Sequence, residues 1–384
     1  MNMEKKDLGL YIHIPFCESK CYYCDFNSHV NKNYLVEKYI MYLKKELDLY
    51  INDLKGYNLK TIFFGGGTPS AIDEKYIYDI LNHIYKNADI SHLKEITLEA
   101  NPKTLNTEKL KVYKSLGINR ISLGVQTLND SLLTQIGRIH TTRDFLDTYE
   151  LIRSQGFENI NTDIMFNLPN QTYKDVIKTL KEIIKLDIKH ISYYSLKIEE
   201  GTPFHVKYEK DELRLPEEDV ERKMYHGAIE LLEKNGYKQY EISNFAKQGY
   251  ECNHNIIYWK VKPYIGVGLS AHSNINSYRY GNTEKFEEYF KMIDENKLPI
   301  YEEEKEFIDK DMEIAEYIIL GLRLIHGINK EYFSKRFGIT IRDVLGKKLD
   351  KFIEEGLLEE NDYNVKLTKK GLDLCNIVFM EVLP

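Results

Sequence analysis

The sequence predicts an α/β protein: a parallel, barrel-like sheet of six consecutive strand-helix units, followed by a small helical domain that ends in a short hairpin. Three observations carry this. Strand-like and helix-like segments alternate from residue 8 to residue 195, the pattern of repeated βα units joined by right-handed crossovers. Polar residues that are unusual in a buried strand recur at the C-terminal ends of those strands, where active sites of such folds gather. Finally, the composition changes at the acidic run 302–306, just after Pro299.

In chain order, residues 8–15 read as a buried strand and 33–54 as an amphipathic helix. Strand 60–64 runs into Gly65-Gly66-Gly67-Thr68-Pro69, a turn signal. A helix at 74–87 leads to strand 95–99, a helix at 107–116 to strand 120–126, and helical stretches between 129 and 155 to strand 159–164. A helix at 172–186 precedes strand 190–195, and 216–235 reads as a further amphipathic helix. Past the acidic run, Met312, Ala315, Ile319 and Leu322 form a helical stripe, with helices expected at 329–336 and 341–355 and a hairpin at 356–368. Helices plus hairpin suggest a winged-helix-like α+β domain, so the expected division is 1–300 and 301–384.

With 384 residues, 42% hydrophobic and 29% charged, the chain can bury a substantial core. A net charge of −7 gives no overall drive toward nucleic acid or anionic lipid. The candidate recognition helix 342–355 also mixes both signs, so DNA binding is not expected of the C-terminal domain. No apolar run approaches 18 residues and none follows the polar start of the chain, so the expectation is a cytoplasmic protein without an integral membrane segment. Of the five cysteines, Cys17, Cys21 and Cys24 cluster, which points to reduced thiols holding a cofactor.

Those three thiols lie within eight residues, on a loop that Pro15 and the tight spacing keep from being a regular helix. They can converge on one soft metal centre, one ligand short of four. A structural zinc site or a redox-active cysteine pair is one reading; an iron-sulfur cube with one iron left open for a small molecule is the other. Three glycines after the second strand either ease a tight turn or let a ligand approach the main chain. Glu99 is either a capping carboxylate or a partner for a ribose hydroxyl or an ammonium.

The motif CxxxCxxC with Tyr23 before its third cysteine resembles the signature of the radical S-adenosylmethionine (SAM) superfamily. In that superfamily the open iron of a four-iron, four-sulfur ([4Fe-4S]) cluster chelates SAM, and one-electron reduction cleaves SAM to a 5′-deoxyadenosyl radical. The flanks, Tyr-Ile-His-Ile-Pro-Phe before Cys17 and Asp25-Phe26-Asn27-Ser28 after Cys24, resemble the branch that holds oxygen-independent coproporphyrinogen III oxidases and the HemW haem chaperones. This resemblance spans about residues 8–380 and implies a partial (β/α)6 radical SAM barrel. It also implies Cys17, Cys21 and Cys24 as cluster ligands. Tyr11, Tyr23, Gly66, Gly67, Thr68, Glu99, Gln126, Arg138 and Asp163 are the implied SAM-contacting residues. Some of these positions serve a second SAM in the oxidases, and the number bound here stays open.

A second stretch, Cys252-Asn253-His254-Asn255-Ile-Ile-Tyr258-Trp259, separates the two families within this branch. A histidine among aromatics is either a hydrogen-bonded structural group or a haem ligand. His-Asn-x-x-Tyr-Trp resembles the haem-associated motif of the chaperones, with His254 the implied ligand, Tyr258 and Trp259 able to flank a flat macrocycle, and Cys252 the rival ligand. Two departures argue against the oxidase: Phe26 stands where the oxidases carry a further cysteine, and only 16 residues precede the cluster motif. The expected function is to bind haem and deliver it to a haem-requiring acceptor such as a respiratory protein. Oxidative decarboxylation of coproporphyrinogen III to protoporphyrinogen IX is the alternative.

Overall fold

The computed structural model describes residues 5–383. Its main sheet contains the six strands expected: β1 (Asp7–Ile14), β2 (Asn58–Gly66), β3 (Glu95–Ala100), β4 (Arg120–Gln126), β5 (Asn159–Phe166) and β6 (His190–Ser195). All five neighbouring pairs among them are parallel. Helices cover the outer face, and β4 is buried at every position although Arg120, Ser122 and Gln126 are interspersed with its apolar residues. The crossover helices Thr142–Ser154 and Tyr173–Lys185 each begin in a capping box, Thr141 with Asp144 and Thr172 with Asp175. The expected helix at 33–54 is divided at Tyr50 into Val36–Leu49 and Ile51–Gly56.

The sheet extends beyond these six strands on both sides. On the β6 side it gains the antiparallel pair β7 (Lys238–Glu241) and β8 (Asn244–Ala246). On the β1 side, β9 (Tyr264–Val267) adds in parallel, and β10 (His272–Ile275), β11 (Tyr278–Gly281) and β12 (Glu306–Phe307) follow antiparallel. The barrel is therefore partial: its first and sixth strands are each paired to an extension rather than to each other.

Glu46 pins the β9 extension to the barrel. It is fully buried and accepts hydrogen bonds from the Gly268 amide (2.8 Å), Asn282 Nδ2 (2.7 Å) and Tyr289 OH (2.5 Å). Burial raises its carboxyl to about 7, against those three donors.

The C-terminal part has a core of its own, with Ile318, Leu322, Phe333, Leu349, Phe352 and Val365 at its centre. It contains a three-stranded antiparallel sheet ordered β13 (Ile328–Asn329), β15 (Asn364–Leu367), β14 (Leu358–Glu360). The helix expected at 341–355 is broken at Gly346, whose φ of 51° ends Ile341–Leu345 before Lys347–Glu354 begins. Arg336 ties this part to the barrel through the carbonyls of Lys260 (3.0 Å) and Val261 (2.9 Å). Asp373 accepts from Arg222 and faces His226, both at 3.0 Å. Among the described residues no helix is long and apolar enough to cross a membrane.

Candidate functional site: a cysteine-lined cavity and its aromatic neighbour

The chain leaves β1 into the cysteine loop, which is closed at its base by Cys17 N–H to His29 O (3.0 Å) and His29 N–H to Pro15 O (2.8 Å). Tyr22 holds the loop over the barrel mouth, its N–H donating to Ile136 O (3.1 Å) and its carbonyl accepting from Phe204 N–H (3.0 Å). The glycine turn after β2 is laced to the loop's entry: Gly67 N–H donates to Ile14 O and Thr68 N–H to Phe16 O, both at 2.9 Å. A Cβ on Gly67 would stand 2.8–3.0 Å from the backbone of Ile14 and Phe16, atoms that cannot yield, and Gly66 has a φ of 109°. Glycine is therefore required at both positions.

The side chains around the thiols form a connected network. Thr68 Oγ1 lies 3.5 Å from Cys17 Sγ and accepts from Asn101 Nδ2 at 2.8 Å. Asn101 Oδ1 accepts in turn from Arg138 Nη2 at 2.7 Å, while Arg138 Nη1 reaches Cys21 Sγ at 3.5 Å and Nη2 also donates to Gly124 O. Burial raises the Cys17 and Cys24 thiols. Among the described residues no three His, Cys, Asp or Glu side chains close on a single ion. An iron-sulfur cube makes no such demand, because each thiolate meets a different iron. Three thiols on one loop facing a cavity, with one corner unfilled, fit a cube with an open iron.

That cavity measures about 310 Å³ and is lined by all three cysteines together with Tyr23, Gly66, Gly67 and Thr68. Its floor is formed by Glu99, Gln126, Arg138 and Asp163 from the ends of the strands and the loop after β4. Glu99 is pushed up to about 8, first by burial and then by the neighbouring Asp163. Burial likewise raises Asp163, opposed by its hydrogen bond from Asn161 Nδ2 (2.8 Å) and by Arg120 and Arg138. Two desolvated carboxyls sharing one floor are poised to receive a cationic or hydroxyl-rich ligand. Gln126 is held in the left-handed region (φ 66°) at a bulge in β4, and its Oε1 accepts from Tyr194 OH at 3.1 Å.

A second cavity, about 570 Å³, opens beside the first. Its walls include Tyr11, Tyr258, Trp259 and Tyr264, and the helix Lys310–Gly321 contributes Glu316 and Leu320. Phe26, which is 64% exposed, borders both cavities.

Comparison with known proteins follows the same lines. The profile of the Radical SAM superfamily matches residues 11–183, and that of the HemN C-terminal domain matches residues 308–374. The chain is 40% identical over 372 residues to "Heme chaperone HemW" of Bacillus subtilis, covering 96% of this chain and 97% of the relative. It is 33% identical over 367 residues to the protein of the same name from Escherichia coli, covering 95% of each. The chain belongs to the HemW family of radical SAM proteins. Its fold is similar to that of the Escherichia coli coproporphyrinogen III oxidase HemN, with a TM-score of 0.84 at 21% identity, covering 98% of this chain and 90% of the oxidase. Membership in the radical SAM superfamily implies a [4Fe-4S] cluster and SAM.

Of the positions carried over from the HemW branch, two lie apart from the rest. Tyr11 faces the aromatic cavity, its OH 3.0 Å from His13 Nδ1, though its ring touches the glycine turn at Gly65 opposite Glu99. His254 lines neither cavity. It is buried beneath β1 and β2, stacks on Phe63 at 5.0 Å, and has both ring nitrogens engaged, Nδ1 with Thr61 Oγ1 (2.7 Å) and Nε2 with Tyr258 OH (2.8 Å). Burial lowers it to about 4, so it is neutral, and in this conformation it offers no free nitrogen to a ligand. Gly9 makes room for its ring, for a Cβ there would sit 3.3 Å from Cε1. Cys252, the rival ligand, is also fully buried, its Sγ 3.5 Å from Glu95 Oε1.

Glu95, which sequence reasoning passed over, caps the helix Asn253–Trp259 from another strand by accepting from the amides of Asn253 (2.8 Å) and His254 (3.2 Å). Asn101 was also missed, although it stands two residues after Glu99 in the run Glu-Ala-Asn-Pro. Ser192 and Tyr194 of β6 complete the cavity wall, and nothing in their local sequence marks them.

Proposed function

We propose that this protein binds haem in the aromatic cavity and delivers it to a haem-requiring acceptor, and that it does so as a radical SAM protein with a [4Fe-4S] cluster in the adjoining cavity. The observation that carries the reading is the second cavity itself. Its size falls within the range of about 300–1,000 Å³ typical of ligand sites, and its aromatic walls suit a flat, apolar macrocycle. Residues 1–300 would carry both sites, with 301–384 closing one wall through Leu320 and Glu316.

In the first cavity Cys17, Cys21 and Cys24 would hold the cluster, which when bound supplies an open iron for SAM and the electron that cleaves it. Gly66, Gly67 and Thr68 would give SAM's amino-acid end access to main-chain groups. Glu99 and Asp163 would receive its hydroxyls or ammonium, Gln126 and Arg138 would orient it, and Tyr23 would wall it in, while Tyr11 stands on the side of the aromatic cavity. Arg138 links the cysteine loop to the glycine turn, since its guanidinium touches Cys21 and Asn101, and Asn101 in turn donates to Thr68.

Coproporphyrinogen oxidation is disfavoured by one residue: two positions after Cys24 the chain has Phe26, which has no sulfur to offer and lines both cavities. The deciding experiment gives the reconstituted protein, under anaerobic conditions with SAM and reductant, either haem or coproporphyrinogen III. The expected result is saturable binding of about one haem per chain, as one cavity allows, and no loss of coproporphyrinogen. Turnover of coproporphyrinogen to protoporphyrinogen would replace this reading with the oxidase.

A further inference from the structure

We propose that His272 is the protein ligand to the haem iron in the aromatic cavity. This assignment rests on the haem reading above and deepens it. Three histidines stand in or behind the cavity's walls. His13 has Nδ1 3.0 Å from Tyr11 OH and Nε2 2.9 Å from Asn27 O, and His254 is held at both nitrogens by Thr61 and Tyr258. His272 lines the cavity from β10, is solvent-exposed, and has no side-chain hydrogen bond among the described residues. Neutral imidazole is a favoured axial ligand to haem iron, and only a ring with an uncommitted nitrogen can supply one without first breaking a bond.

The strand geometry sets this ring on the cavity face. His272 and Asn274 are two apart on β10, so they share one face, and both line the cavity. Their cross-strand partners on β11 are Gly281 and Arg279. Gly281 opposite His272 has no side chain, so the imidazole lies back over it; an added Cβ there would meet the ring's Cε1 at 3.0 Å and its Nδ1 at 3.3 Å, and Glu304 Oε2 also at 3.3 Å. Opposite Asn274, Arg279 is neutralised by Glu306 and Glu316. With Asp25 and Glu284 also on the lining, the cavity walls would repel carboxylates. The macrocycle would therefore enter apolar edge first, between Tyr258, Trp259 and Tyr264, and keep its propionates toward solvent. Tyr258 and Tyr264 meet edge to face at 4.7 Å, a rigid corner for that edge.

The test is an anaerobic haem titration of the full chain, followed by the Soret band and the electron paramagnetic resonance of the ferric complex, in wild type, His272→Ala, Gly281→Val and His254→Gln. His272 is exposed, so its replacement leaves the fold intact, and the thermal midpoint checks this. His272→Ala is expected to lose the nitrogen-ligand signature and to weaken binding by at least the roughly tenfold that loss of a metal-site group costs, with added imidazole restoring the spectrum. Gly281→Val, which pushes the ring off its seat, is expected to shift the spectrum, while His254→Gln keeps it. If wild type binds haem and His272→Ala retains both signature and affinity, the assignment fails while the haem reading stands; loss of the signature in His254→Gln alone has the same meaning. If wild type binds no haem, both fall together.

Discussion

Alanine at Cys17, Cys21 or Cys24 is expected to give a folded, colourless protein. All three thiols are only partly buried, and none belongs to the apolar clusters that make up the core, so the fold does not depend on them. The cavity, by contrast, has no other thiolate: Cys252 lies buried against Glu95, and Cys375 is in the C-terminal part. Wild type reconstituted anaerobically should carry about four irons per chain with visible charge-transfer absorbance, and each single variant close to none. Far-ultraviolet circular dichroism should match wild type in each case. A variant that keeps full iron would remove that cysteine from the ligand set, and a wild type that takes up zinc but no iron and sulfide would return the loop to the zinc reading.

The second large effect concerns Glu99. Its carboxyl is raised to about 8 by burial and by Asp163, so at neutral pH it is largely protonated before SAM arrives. A ligand that donates to it from a hydroxyl or an ammonium favours the carboxylate and lowers its pKa, so binding releases a proton and tightens as pH rises toward 8. SAM titrates as well, and for that reason the comparison is between wild type and Glu99→Gln with the same ligand. The ratio of their SAM affinities, measured by calorimetry on cluster-loaded protein, should grow with pH between about 6 and 8, by up to about tenfold per unit well below the pKa. It should level off above that range. A ratio independent of pH would mean that Glu99 does not meet SAM as a carboxylate.

How much of this was legible in the sequence depends on how far apart the cooperating residues lie. The six parallel strands and the collection of Cys17, Gly66, Glu99, Gln126 and Asp163 at one end could be read directly, because each strand end is marked locally by a cysteine, a glycine turn or a misplaced polar residue. The β9 strand could not, since it is only four residues long and joins β1 from more than 200 positions away. The aromatic cavity was half legible. Its Tyr258 and Trp259 stood in a motif, but Tyr264, His272 and Leu320 come from three other elements.

His254 shows why a motif alone does not assign a ligand. Residues four apart on a helix share a face, and here that proximity joins His254 to Tyr258 by a hydrogen bond, with the tyrosine toward the cavity and the histidine toward Thr61 in the core. Both residues matter to the wall, but the pattern does not say which of them a ligand meets. That distinction needed β1, whose Gly9 accommodates the buried ring.

Trp259 offers the most direct measurement of the central claim. It is the only tryptophan in the chain and lines the aromatic cavity, with the Arg323 guanidinium stacked 4.6 Å from its ring. Haem bound there would quench its emission. Titrating haem into the cluster-loaded protein while recording tryptophan fluorescence should therefore give saturable quenching that ends at about one equivalent, in step with the Soret change, as one cavity of this size allows. Haem binding with the emission of Trp259 unchanged would place the macrocycle elsewhere and contradict the account.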